Sequence, residues 1–93
     1  MPHVVVCYDI VCNRVRTRVM KRLKEFVPHV QKSVFEGVLS EPRLQELREM
    51  LQCEIDMVTD TVRIYRLCGR CVPSTEVIGL GEYVEADERD EVI

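Results

Sequence analysis

The chain has 93 residues, of which 46% are hydrophobic and 31% are charged. This length and this balance fit one small globular domain, and they exclude a disordered chain, a collagen and a low-complexity array. The apolar runs are too short to span a membrane, and Met1-Pro2-His3 lacks the basic region of a signal peptide. We therefore expect a cytoplasmic protein with no membrane partner.

Charge is distributed unevenly along the chain, whose net charge is −3. Residues 1–37 contain seven Lys or Arg and three Asp or Glu, whereas residues 38–93 contain six basic and thirteen acidic side chains. Six of the basic residues fall between Arg14 and Lys24. Because the local field decides where a polyanion docks, the acidic total does not exclude nucleic acid as a partner.

Strand and helix signals alternate from the start of the chain. The almost wholly apolar stretch from His3 to Asp9 predicts a strand buried on both faces, which is typical of the centre of a sheet. Asn13 is suited to cap a helix, and Pro28 is expected to end it. Between them, apolar residues recur with helical spacing at Val15, Val19, Leu23 and Phe26.

A second strand and a second helix follow. Alternating residues predict a strand across residues 30–39, in which Gly37 marks a bulge or a close approach of another segment. Ser40-Glu41-Pro42 predicts the start of a helix, because proline is tolerated in the first helical turn. Leucines at helical spacing continue this helix until it fades between residues 53 and 56.

Thr61–Leu67 predicts a further strand, and Val77–Tyr83 predicts a weaker final one. Two strand–helix–strand units with right-handed crossovers predict a ferredoxin-like α/β (α+β) sandwich, βαββαβ, with an extra C-terminal strand. We expect one domain over residues 1–93, with both helices on one sheet face and a second copy of the chain on the other. The C-terminal strand and the acidic tail, about residues 74–93, are expected at this dimer interface.

The five cysteines are an odd number, and without a secretory signal they are expected to be reduced thiols. Cys68-Gly69-Arg70-Cys71 is a single C-x-x-C motif. A structural zinc site normally needs four ligands, and a redox motif is expected at the start of a helix rather than after a strand. The interpretation that we favour is a turn with small apolar thiols.

Asp9 is the first candidate for chemistry because it ends the predicted central strand. A carboxylate there can hold a metal ion, although a turn residue that accepts nearby backbone N–H groups is the commoner explanation. One carboxylate makes a poor magnesium site, unless a twofold axis brings the Asp9 carboxylates of two chains together. By residue type alone, the aromatic side chains near the strands (Tyr8, Phe35 and Tyr65) indicate core or interface, and His29 indicates a surface residue.

Arg14, Arg16 and Arg18 lie near the start of the first predicted helix, where the helix dipole would favour acids. Three arginines there favour a bound anion, most simply a phosphate, and a solvated helix face is an equal alternative. Lys21 and Arg22 extend this candidate nucleic-acid-binding surface along the same helix.

Residues 5–10 (Val-Val-Cys-Tyr-Asp-Ile), the arginine-rich helix and residues 30–37 (Val-Gln-Lys-Ser-Val-Phe-Glu-Gly) together resemble the CRISPR-associated Cas2 family. Residues 61–68 (Thr-Val-Arg-Ile-Tyr-Arg-Leu-Cys) resemble a later strand of that family, so the similarity covers about residues 3–68. The resemblance implies a ferredoxin-like homodimer whose C-terminal strand crosses to the partner's sheet.

The resemblance also implies an activity and a site. Many family members are described as metal-dependent nucleases that act on RNA or on double-stranded DNA, with the strand-end aspartate of both protomers binding Mg²⁺ or Mn²⁺. Asp9 occupies that place here. By position, four further residues match the family's nuclease site, namely Tyr8, Arg16, Arg18 and Phe35.

Family members also join the Cas1 integrase in capturing new spacers, which implies a second role. In that complex the dimer is a bridge that holds duplex DNA, and its own catalysis can be dispensable. A metal-dependent endonuclease and a catalytically silent scaffold are therefore both open. A toxin-like messenger-RNA interferase and a small-molecule-binding regulatory dimer of the same fold are further alternatives, although the regulatory dimer would not explain the arginines.

Overall fold

Six elements of secondary structure follow one another along residues 1–79, the part of the chain that this computed structural model describes. In order they are β1 (His3–Asp9), α1 (Asn13–Leu23), β2 (His29–Gln31), β3 (Val34–Val38), α2 (Glu41–Glu54) and β4 (Thr61–Leu67). Neither helix of this part of the chain is long and apolar enough to cross a membrane.

The four strands form one sheet in the order β2-β3-β1-β4, and every neighbouring pair is antiparallel. Strand β1 pairs with β3 from His3 opposite Val38 to Cys7 opposite Val34. On its other side, β1 pairs with β4 along its whole length. Each helix therefore connects strands that lie two places apart in the sheet, which is the ferredoxin-like βαββαβ arrangement predicted from the sequence.

One face of the sheet packs against both helices and forms the hydrophobic core. Because successive side chains of a strand point to opposite faces, Val4 and Val6 of β1 and Phe35 of β3 are fully buried together on this side. The helices contribute the residues that their periodicity predicted, including Val19 and Leu23 of α1 and, from α2, Leu44, Leu47 and Leu51. The predicted burial of β1 on both faces is therefore confirmed for this face only, because on the other face Val5 and Cys7 are partly buried and Asp9 is exposed.

The other face carries the alternate residues of the strands, and neither α1 nor α2 covers it. A hydrogen bond between His3 Nε2 and Glu36 Oε2 (2.8 Å) crosses from β1 to β3 on this open face. The remaining side chains of β1 and β4 here include Val5, Cys7 and Tyr65, the last of which is 47% exposed.

Both predicted boundaries of the first helix were wrong. Cys12 occupies the N-cap position, and Asn13 is instead the first residue of α1. The helix ends at Leu23 rather than close to Pro28. A proline ring clashes with the carbonyl group four residues earlier, which here belongs to Lys24, so a tight turn replaces the helix from that residue on.

The predicted strand across residues 30–39 is a hairpin of two shorter strands. A turn at Lys32 and Ser33 separates β2 from β3, and β2 carries an irregular register between His29 and Gln31. The sequence did not reveal this turn, because the odd–even alternation of residue types can continue unbroken through two short strands and the two turn residues between them. The predicted bounds of β4 are confirmed, as is the start of α2, where Ser40 Oγ accepts the Arg43 N–H at 3.3 Å.

The predicted C-terminal strand falls largely outside the described residues. Residues 77–79 are described and do not form a strand, while residues 80–83 and the acidic tail lie beyond the described part.

Gly37 lies where two segments approach closely, as the sequence indicated. A Cβ atom on this residue would lie 2.7 Å from Pro28 Cδ and 3.2 Å from Val27 Cγ1. The first of these contacts is with a rigid ring, which has little freedom to move away. The absence of a side chain at this position thus lets the turn before β2 pack directly against β3.

We predict that Gly37→Ala lowers the free energy of unfolding by about 1–3 kcal/mol, since it overpacks this contact. Gly69→Ala is the matched control, because a Cβ atom there has no neighbour within 4 Å and should change stability by less than about 0.5 kcal/mol. Urea unfolding curves of the two variants and the parent chain measure the difference. Equal midpoints for both variants would contradict the packing argument.

Candidate functional site

Asp9 ends the central strand with an exposed carboxylate on the open face of the sheet. Thr61 is its register partner on β4, and the chain leaves β1 immediately after it. Its neighbour Tyr8 points the other way, toward the helices, because side chains alternate along the strand. The two residues predicted to act together therefore lie on opposite faces of the sheet.

The loop that follows Asp9 is held by two residues from other parts of the chain. Arg16 Nη1 donates to the Ile10 carbonyl oxygen at 2.7 Å, and its Nη2 donates to the Asn13 side-chain oxygen. From the opposite direction, Asp60 Oδ1 accepts the Val11 N–H at 3.1 Å. Arg16 was predicted to bind phosphate, and in this structure its guanidinium is engaged with this loop.

Asp60 is a residue that the sequence analysis missed. Its second oxygen, Oδ2, accepts the Asp56 N–H at 2.9 Å, and Thr59 Oγ1 donates to Oδ1 at 3.1 Å. The backbone N–H groups of Asp56 and Val11 lower the pKa of the Asp60 carboxyl, because they stabilise its charged form. A carboxylate directly before a strand was the available signal, although nothing in the sequence identified its partner 49 positions away.

A cleft of about 360 Å³ opens between the first turns of α1 and the β2–β3 hairpin turn. Tyr8 and Arg16, both predicted site residues, lie in its wall together with Lys32 and Ser33 of the hairpin turn. Burial raises the pKa of the Tyr8 hydroxyl, and the positive charge of Arg16 opposes this shift. Tyr8 is consequently a protonated hydrogen-bond donor at neutral pH rather than a phenolate.

Phe35 does not line this cleft, because it is fully buried in the core. Its ring lies 6.2 Å from the ring of Tyr8 and stacks at 4.6 Å on the ring of His29. His29 Nε2 in turn lies 2.6 Å from the Lys32 carbonyl oxygen. Phe35 thus contacts the rings of two residues near the cleft and is shielded from solvent itself. Lys32 and Ser33 were missed because the hairpin turn itself was not predicted.

Arg18 and Arg22 are engaged by an acid from the second helix. Arg18 Nε donates to Glu54 Oε1, and Arg22 Nη1 donates to Glu54 Oε2 at 2.9 Å. The Arg18 hydrogen bond is the main cause of a lowered pKa of the Glu54 carboxyl. Arg18 and Arg22 are two of the five predicted nucleic-acid-binding residues. Because they share one carboxylate, half of their combined positive charge is balanced within the chain.

Arg14 and Lys21 are the members of the predicted surface that keep their full charge toward solvent. Both are exposed, and within residues 1–79 neither forms an ion pair. They lie on α1 on either side of Arg18, so the basic face of this helix alternates between free and paired cations.

Asp9 has the right chemistry for a hard cation such as Mg²⁺, which prefers oxygen ligands. Both oxygens of Asp60 accept backbone N–H groups and the residue is buried, so Asp60 is less suited than the exposed Asp9 to bind a cation. No group of three or more potential metal ligands occurs among the described residues. The described part of one chain thus offers one exposed carboxylate, Asp9, at the end of β1. One carboxylate is too few ligands for a complete Mg²⁺ site.

Comparison with known proteins identifies the family. Residues 1–75 match the family model described as CRISPR associated protein Cas2. The chain belongs to the CRISPR-associated Cas2 family. The resemblance in the strand and hairpin motifs is thereby confirmed over most of the chain.

Individual Cas2 proteins support the same conclusion. A relative from Chloroflexus aurantiacus named CRISPR-associated endoribonuclease Cas2 3 is 40% identical over 77 residues, which cover 83% of each chain. The crystal structure of Streptococcus pyogenes Cas2 superposes with a TM-score of 0.74 at 27% identity, covering 83% of this chain and 99% of that one. A chain from a partial Cas6-RT-Cas1–Cas2 complex gives a TM-score of 0.73 at 25% identity, covering 84% of this chain and 91% of that one.

We predict that Asp60→Asn destabilises this Cas2-family chain at neutral pH, because the amide group places N–H donors against a backbone N–H. Since folding lowers the Asp60 pKa, its stabilising effect is complete above the ordinary value of 3.8 and is lost as the pH falls through the folded value. The difference in urea midpoint between parent and variant should therefore be largest near pH 7 and shrink below about pH 3.8.

Asp56→Asn is the control for this comparison. Its Oδ1 accepts the Val58 N–H at 2.9 Å, and the residue is exposed. A pH-independent difference for Asp60→Asn, or equal effects of the two variants, would show that the charge of Asp60 does not stabilise the loop.

Proposed function

We propose that this protein is a CRISPR adaptation factor that cleaves RNA or double-stranded DNA in a metal-dependent reaction and holds nucleic acid as a homodimer. The observation that carries the proposal is the exposed Asp9 carboxylate at the end of the central strand, next to a loop held by Asp60 and Arg16. Membership of the Cas2 family and the name endoribonuclease of its Chloroflexus relative support a nuclease activity.

A second copy of the chain is the partner that this site requires. The Asp9 carboxylate lies on the sheet face that neither helix covers, and this face also carries half-buried apolar residues such as Val5 and Val34. Packing two such faces about a twofold axis would remove these residues from water and bring two Asp9 residues to one interface. The dimer would thereby supply the second carboxylate that one chain lacks.

Mg²⁺ or Mn²⁺ is the cofactor that we assign to the paired carboxylates. A bound ion of this kind would polarise the phosphodiester and lower the pKa of a water molecule for attack. The chain itself supplies the rest: a loop after Asp9 that Asp60 and Arg16 hold in place, and exposed cations on α1 that would bind flanking phosphates. Tyr8 stays protonated and can donate a hydrogen bond from the cleft.

The test is cleavage of labelled single-stranded RNA and duplex DNA with magnesium, manganese or a chelator. Asp9→Asn should lower metal-dependent cleavage by roughly a hundredfold or more, because it removes the charge nearest the reacting phosphate. Asp56→Asn, a nearby exposed carboxylate that no proposed contact uses, should cleave like the parent chain. Equal cleavage by Asp9→Asn and the parent would rule out the assigned site and point to a contaminating nuclease.

A scaffold that binds nucleic acid without cleaving it is the second candidate function. The single free carboxylate at the site favours it, as does the membership of a Cas2 chain in a solved complex with Cas1. In this role, α1 would contact backbone phosphates while a Cas1 integrase performs the chemistry. Binding would then depend steeply on salt and little on sequence, and Asp9→Asn would leave it unchanged.

The engaged arginines give this surface a specific test. Glu54→Gln removes the carboxylate that pairs with Arg18 and Arg22 and frees both for phosphate. We predict that it strengthens binding to duplex DNA by roughly fivefold and steepens the salt dependence by about one unit per phosphate gained.

Glu49→Gln is the matched control because it changes the net charge equally and breaks no ion pair within the described part of the chain. Glu49 is an exposed residue of the same helix, and its described contact is with the Gln45 side chain. If the two variants bind with equal affinity and equal salt dependence, Arg18 and Arg22 do not belong to the binding surface.

A further inference from the structure

The C-x-x-C motif at residues 68–71 lies directly after β4, and its two thiols are in contact. The sulfur atoms of Cys68 and Cys71 are 3.5 Å apart. The predicted turn is present, and both of its cysteine side chains are exposed. Four of the five cysteines are exposed, and no other pair of thiols in the described chain is in contact.

A regular turn holds these thiols side by side. The Cys71 and Val72 N–H groups both donate to the Cys68 carbonyl oxygen, at 3.0 and 3.2 Å, as in the first turn of a helix. Ser74 Oγ and Thr75 Oγ1 donate to the carbonyl oxygens of Arg70 and Cys71, at 2.8 and 3.1 Å. The motif therefore lies in a hydrogen-bonded turn, outside any helix, and this turn keeps the two sulfur atoms in contact.

Cys68 is placed to act as the attacking thiolate of the pair. The backbone N–H groups of Arg70 and Cys71, together with the Cys71 thiol, lower the pKa of Cys68 because each stabilises the thiolate. Solvent exposure gives an attacking reagent access to this sulfur, and the Cys71 sulfur is already within reach of it.

A metal site fits this motif less well than redox chemistry. Zinc normally takes four ligands in a structural site. Among the described residues, no third cysteine, histidine or acid joins the pair to make a cluster of three.

We propose that Cys68 and Cys71 form a redox-active dithiol that is oxidised to an intramolecular disulfide by a low-molecular-weight disulfide such as oxidised glutathione. The Cys68 thiolate attacks one sulfur of this reagent, forming a mixed disulfide and releasing the first glutathione as a thiolate. The Cys71 thiol then loses its proton to solvent and attacks the Cys68 sulfur, which releases the second glutathione. The protein loses two electrons, and the reagent gains them.

The dithiol lies apart from the candidate nuclease site. Leu67, the last residue of β4, pairs with His3, whereas Asp9 pairs with Thr61 at the other end of the strand. Oxidation would lock the turn from which the chain continues toward its C-terminus and leave the loop after Asp9 unaltered. The thiol chemistry of this turn does not depend on the proposed nuclease function.

The experiment places the full chain in buffers of increasing oxidised-to-reduced glutathione ratio, with alkylation of the remaining thiols and peptide mass mapping. We expect the peptide with Cys68 and Cys71 to convert from dithiol to internal disulfide without carrying glutathione. Cys12 provides an internal comparison, since backbone N–H groups of Val15 and Arg14 also lower its pKa and no thiol of residues 1–79 contacts it. It should accumulate the mixed disulfide in the same samples.

Two substitutions complete the test. Cys71→Ser should leave glutathione on Cys68, because the resolving thiol is gone, whereas Cys53→Ser should leave the conversion unchanged. The proposal fails if the pair stays reduced, or carries glutathione without closing, in buffers that modify Cys12. A disulfide that links two chains on a non-reducing gel would also overturn it.

Discussion

Strand β1 is hydrogen-bonded to β3 on one side and to β4 on the other, so each of its side chains is committed to one face of the sheet. Val4 and Val6 consequently anchor the core beneath the helices, while Asp9 is left on the open face. A shift of one residue in this register would exchange the faces of Tyr8 and Asp9. The position of the candidate metal ligand is therefore a consequence of how the core packs.

The loop after β1 connects this framework to the candidate chemistry. Arg16 reaches back from α1 and Asp60 reaches across from the segment before β4, and each satisfies a backbone group of the loop. Both residues are charged, yet their side chains contact groups of the chain itself and not a ligand. Their side chains instead hold the backbone of the loop that directly follows Asp9.

The basic residues of α1 likewise differ in whether another part of the chain pairs with them. Glu54 occupies Arg18 and Arg22, whereas Arg14 and Lys21 keep their charge toward solvent. An exposed ion pair contributes little to stability, so the main effect of Glu54 is on the local field that a phosphate backbone would meet. The arginine count of a helix thus overstates its attraction for nucleic acid when a neighbouring helix supplies acids.

The sequence by itself determined the order of most elements, the core faces of β1, α1 and α2, and the family, because local spacing and short motifs carry these features. It did not reveal the hairpin turn at residues 32–33, where one alternating pattern was compatible with one strand or two. The tertiary structure alone decided which charges are paired and which carboxylate stays free. The deciding contacts, Arg18 and Arg22 with Glu54 and Val11 with Asp60, join residues 32 to 49 positions apart, and no local pattern encodes such pairs.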